Sequence, residues 1–127
     1  MILFKTEQLK TQFEQLDDRL IHIAYALSGF CKQTMGKDFT VTSCFRDEIN
    51  STHKYWRAID IRVKQGSNDS LFDFQELKNI EKFLDHFIYD ENRPLLKSYL
   101  IHANRNDGGL HLHLQVAPTT FTKLVVT

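Results

Sequence analysis

His53, Asp60 and His113 are the residues whose types and spacing could do chemistry. Two imidazoles and a carboxylate form a ligand set that holds zinc and leaves one coordination position open. Zinc held in that way lowers the pKa of a bound water to roughly 7 and supports hydrolysis. His53 and Asp60 fall in one segment, Ser51-Thr52-His53-Lys54-Tyr55-Trp56-Arg57-Ala58-Ile59-Asp60, and His113 falls in a second, Leu110-His111-Leu112-His113-Leu114.

Two strands must bring these segments together. Over residues 55–63, Ile59, Ile61 and Val63 alternate with Ala58, Asp60 and Arg62, which sets Asp60 on the face opposite the isoleucines. Over residues 110–116, Leu110, Leu112, Leu114 and Val116 share one face and leave His111, His113 and Gln115 on the other. If the two strands are neighbours with their polar faces aligned, Asp60 and His113 converge, and His53, in the turn entering its strand, completes the triangle. Residues 98–103 and 110–116 flank the turn-rich stretch Asn104-Arg105-Asn106-Asp107-Gly108-Gly109 and read as a β-hairpin.

The remaining elements supply a core. Leu9, Phe13, Leu16, Leu20, Ile23, Ala24, Leu27 and Phe30 recur at steps of three and four, predicting one long amphipathic helix over about 6–35 that Gly36 stops. Asp17, Asp18 and the other charges on it read as a solvated face, and residues 39–45 read as a strand rich in β-branched and aromatic side chains. Residues 64–70 read as a loop. Phe74, Leu77, Ile80, Phe83, Leu84, Phe87 and Ile88 form a second helical stripe over about 72–89, which Pro94 prevents from continuing, and residues 121–126 could add an edge strand. The expected fold is α+β: a small antiparallel sheet with helices packed on one face and a zinc site on the other.

At 127 residues the chain reads as a single domain, 1–127, with the motif-bearing core over about 39–116, large enough to fold without a structural metal. A metal here would therefore be functional. Sixteen Lys and Arg balance sixteen Asp and Glu, so no net field draws the chain to nucleic acid or to an anionic membrane. The two cysteines, Cys31 and Cys44, form no CxxC pair and read as small core residues. The short N-terminal apolar run has neither the basic region nor the long apolar region of a signal peptide, and no stretch is long enough to span a membrane. Synthesis in a cytoplasm is expected. His22 and His86 read as surface or boundary residues of the helices, and His102, on the first arm of the hairpin, as structural.

Ser51-x-His53-x-x-Trp56-x-Ala58-x-Asp60 resembles the Ser-x-His-x-x-Gly-x-Ala-x-Asp signature of the LAS metallopeptidases, the group uniting lysostaphin, D-Ala-D-Ala metallopeptidases and sonic hedgehog. Thr42-Ser43-Cys44-Phe45-Arg46 is similar to the Thr-Ser-Gly-Tyr-Arg strand of the D-Ala-D-Ala carboxypeptidase and phage endolysin branch, and His111-Leu112-His113 resembles the closing His-x-His. Order and spacing agree over roughly residues 39–116.

The resemblance implies a hedgehog-like fold and Zn2+ bound by His53, Asp60 and His113. His111 would sit beside the metal as proton shuttle, Arg46 would orient a substrate carboxylate or polarise its carbonyl, and Ser51 would orient a neighbouring group. It further implies a peptidase cutting peptidoglycan stem peptides, phage-encoded and reaching the cell wall after release or as a virion component. The alternative is a non-catalytic zinc-binding virion or structural module. The pattern is departed from at Trp56, where the signature has Gly, so the backbone there takes another path or the indole walls the cleft. Arg46 and His53 are only seven positions apart, where many relatives insert a longer loop. Leu110 stands where the carboxypeptidase branch has its acidic base, and Asp107 is the nearest carboxylate.

Overall fold

The computed structural model describes residues 1–45, 55–63, 71–103 and 110–118, without the side chains of 102 and 103. Strands β1 (Ile2–Phe4), β2 (Phe39–Ser43), β3 (Ala58–Arg62), β4 (Tyr99–Ala103) and β5 (Leu110–Gln115) form one sheet in the order β1-β2-β3-β5-β4. Helices α1 (Glu7–Phe13), α2 (Asp18–Met35) and α3 (Phe74–Leu84) complete the described elements. The fold is α+β, as the periodicities imply. The sheet, however, is mixed rather than antiparallel, because β1 runs parallel to β2 while the other pairs are antiparallel.

The helices share one core with one face of the sheet. Leu20, Ile23, Leu27, Ile80 and Leu84 from α2 and α3 bury together with Phe39, Val41, Ile59, Ile61, Leu112 and Leu114 from the strands. At ~25 cal/mol per Å² of apolar area removed from water, a leucine or isoleucine buried this completely stabilises the fold by about 1.5–3 kcal/mol. Both cysteines are buried in the core, in keeping with their reading as small apolar residues.

The single helix expected over 6–35 is in fact two. After Phe13, tightened turns carry the chain (Gln15 N–H to the Gln12 carbonyl, Leu16 N–H to that of Phe13), and Asp17 then caps a new helix by accepting from the Arg19 amide at 2.9 Å. The apolar period survives the break because Phe13, Leu16 and Leu20 still face the core. Asp17 is no idle surface charge. Its carboxylate takes Arg19 Nε at 3.0 Å and Nη2 at 2.8 Å, while Arg19, only 9% exposed, also donates to the Ala117 carbonyl. Gly36 ends α2 in the left-handed conformation, φ 66°.

The second helix is shorter than the stripe over 72–89. It starts with a capping box between Asp73 and Glu76 and ends at Leu84, because Ile88 bridges Lys97 as a strand would while Phe87 still turns inward. The strand expected over 39–45 closes at Ser43 on a β-bulge: Val41 faces Ile61, but Ser43 rather than Thr42 faces Asp60. The extra residue lets Val41 and Cys44, three apart, both reach the core. The loop at 64–70, the turn at 104–109 and the tail strand at 121–126 lie outside the described residues.

Candidate metal centre

The sheet face turned away from the core carries the residues of interest. β3 and β5 are antiparallel neighbours in a register that sets Asp60 opposite His113 and Arg62 opposite His111. Strand parity then gathers Asp60, Arg62, His111, His113 and Gln115 on one side, because Ile59, Ile61, Leu112 and Leu114 occupy the other. On the far side of β5, β4 sets Leu100 beside His113 and His102 beside His111.

Asp60 and His113 touch: Asp60 Oδ1 lies 3.0 Å from His113 Nδ1. The carboxylate is 5% exposed despite its place on the outer face, so it sits in a medium where a charge needs close partners. Thr42, at the bulge, donates its hydroxyl to the Asp60 backbone carbonyl at 3.4 Å. On the other edge of the imidazole, His113 Nε2 lies 3.2 Å from Gln115 Oε1, and Gln115 Nε2 donates to the Lys97 carbonyl at 3.0 Å. Burial, with the Asp60 charge adding to it, pushes the Cys44 thiol up to about 12. The thiol form is thereby favoured at neutral pH, which makes Cys44 a poor nucleophile.

Two of the three expected ligands thus meet. With zinc bonds of about 2.0 Å, two donors on one edge of a tetrahedron stand about 3.3 Å apart. The separation of Asp60 Oδ1 and His113 Nδ1 is close to that edge, so the pair fits a shared metal ion with little adjustment. The third ligand, His53, lies outside the described residues, as do Arg46, Ser51 and Asp107. Among the described residues, no group of three or more His, Cys, Asp or Glu is arranged to hold a metal. His111 is on the same outer face of β5 and half-buried, two positions from His113.

Trp56 carries φ 61°, the only positive φ of a non-glycine among the described residues. This is a conformation that glycine adopts freely and L side chains avoid, so the chain keeps at this point the backbone that a Gly would favour. The conformation is held by its surroundings. The indole stacks on Phe45 at 4.7 Å between centroids and 19° between planes, and the Trp56 carbonyl accepts from the Asp17 amide at 3.0 Å. The indole packs partly against the core.

Sequence reasoning gave no role to Leu100, Thr42 or Gln115, which adjoin the pair, or to Arg62, which lies opposite His111. Gln115 shared the polar parity of His111 and His113, and that was the available signal; the Thr42 contact depends on the bulge, which has no local signature. Comparison with models of protein families, with curated proteins and with solved structures found no match.

Proposed function

We propose that this chain is a zinc-dependent peptidase acting on the peptide stems of bacterial cell walls, phage-encoded and reaching the wall after release or as part of a virion. The observation that carries the reading is the meeting of Asp60 and His113 at 3.0 Å across β3 and β5, because these are the last positions of the two motifs that resemble the LAS signature. Asp60, His113 and His53 would hold the metal. Bound zinc supplies a water of lowered pKa and a Lewis acid for the scissile carbonyl.

The chain's own groups do the rest. His111, on the same face as His113 and half-buried, carries a proton from the attacking water to the departing amine, work that Leu110 cannot do. Arg46 fixes a substrate carboxylate through its planar fork. Leu100, 57% exposed and next to His113 in register, offers an apolar rim against which a short peptide can lie.

Purified protein, assayed for zinc and for release of new amines from peptidoglycan or from synthetic stem peptides with and without chelator, tests this reading. One zinc per chain and chelator-sensitive cleavage are expected. Stoichiometric zinc with no cleavage of any wall fragment would instead establish the non-catalytic zinc module.

A further inference from the structure

We propose that Gln115 is a positioning residue for the metal site: by holding Nε2 it fixes the His113 ring with Nδ1 turned toward Asp60, the edge that would meet the metal. The assignment rests on the metal reading above and adds to it a residue outside the signature.

A carboxamide has one end that donates and one that accepts. Gln115 spends its donor on the Lys97 carbonyl at 3.0 Å, a group that can only accept. Turning the amide over would set two carbonyl oxygens against each other, so Oε1 is the end that faces His113. Of the two partners 3.2 Å apart, the ring nitrogen must then be the donor, and His113 carries a proton on Nε2. The backbone holds the arrangement as well, since the Gln115 amide donates to the Ser98 carbonyl at 2.8 Å and ties this end of β5 to the approach to β4.

With Nε2 held by Gln115, the ring turns Nδ1 toward Asp60, and a metal that displaces the proton there would meet the Nδ1 lone pair. Nδ1 lies 3.0 Å from Asp60 Oδ1, a hydrogen-bond spacing at which a shared cation would take the place of the proton between them. A histidine ligand whose other ring nitrogen donates to an oxygen is oriented for its metal and made more basic, and loss of that outer partner typically costs about 10–100-fold in metal affinity. The chain Lys97 carbonyl, Gln115, His113 would thus aim Nδ1 at the ion.

The experiment compares wild type, Gln115→Met and Gln115→Glu for zinc affinity by competition with a chromophoric chelator, alongside metal-free melting curves. It also reads the protonated nitrogen of His113 from the 15N shifts of the zinc-loaded wild type. Gln115→Met keeps the bulk but offers no oxygen; its zinc dissociation constant should rise about 10–100-fold while its metal-free melting stays that of wild type. Gln115→Glu keeps an acceptor for Nε2–H but turns its second oxygen toward the Lys97 carbonyl, so its zinc affinity should fall between those of wild type and the Met variant. In zinc-loaded wild type, the proton should be on Nε2 and the metal on Nδ1. Coordination through Nε2, or a Gln115→Met protein that binds zinc as tightly as wild type, overturns the assignment and leaves the metal reading standing. Wild type that takes up no zinc overturns both.

Discussion

Removing either member of the Asp60 and His113 pair deletes one of two donors that already stand 3.0 Å apart. Asp60→Ala and His113→Ala should each weaken zinc binding by more than about 100-fold, beyond the loss caused by an outer partner, as measured by chelator competition. Full zinc retention by His113→Ala would show that another histidine is the ligand. Arg46→Ala and His111→Ala should separate binding from chemistry: zinc stays, while kcat on a stem peptide falls about 10²–10³-fold for the arginine and about 10²–10⁴-fold for the histidine. If both variants cleave as well as wild type, those two roles are wrong. Trp56 gives a prediction of a different kind. Trp56→Gly and Trp56→Ala both lose the stack on Phe45, but only glycine sits easily at φ 61°. Chemical denaturation should find the glycine variant more stable than the alanine variant by about 1 kcal/mol. At this scale much could be read in advance: alternation along two strands set Asp60 and His113 on the outer face. The positive φ at Trp56 could be suspected only from the Gly it replaces, because nothing in a tryptophan signals it.

Elements were less legible than faces. Hydrophobic period reports which side of a segment is buried, and a turn that preserves the buried side leaves it unchanged, which is why the break between α1 and α2 was hidden. The cap at Asp17 was the signal that could have exposed it. Asp17→Ala should destabilise the fold by about 2–3 kcal/mol, since it removes a helix cap and leaves the buried Arg19 guanidinium with less compensation. The Arg19 hydrogen bonds hold the Asp17 carboxyl below its ordinary value of 3.8. A depressed folded pKa gives stability that is complete above the unfolded value and is lost as pH falls through the folded one. Asp17→Asn should therefore flatten the acid limb of the stability curve below about pH 4, measured by denaturant titration at stepped pH. A variant with an unchanged acid limb would locate the acid sensitivity elsewhere. β1 escaped notice for another reason. It has three residues, and its partner strand begins at Phe39, so only tertiary pairing defines it.

For the whole molecule, a ligand that binds only the folded chain raises stability by mass action, about 2.7 kcal/mol at a free zinc concentration 100 times the dissociation constant. In a domain of this size that raises the melting temperature by on the order of 10 °C. Wild type should show the rise in scanning calorimetry and Asp60→Asn should not; equal rises would mean that zinc binds elsewhere. Among the described residues, no helix is long and apolar enough to cross a membrane. The sheet order also has a kinetic meaning. Among the described strands, β3 and β5 lie inside the sheet, each bonded on both sides, while β1 and β4 stand at its ends. The Gln115 amide donates to Ser98, next to β4, and alternation points the His113 amide the same way, whereas the Val63 amide donates to Leu110 of β5, so the Asp60 amide turns toward β2. Fraying of β4 then exposes the His113 amide to deuterium, while that of Asp60 waits for a larger opening of the sheet. In a pulse of D2O the two neighbours should therefore part company, His113 taking up deuterium before Asp60.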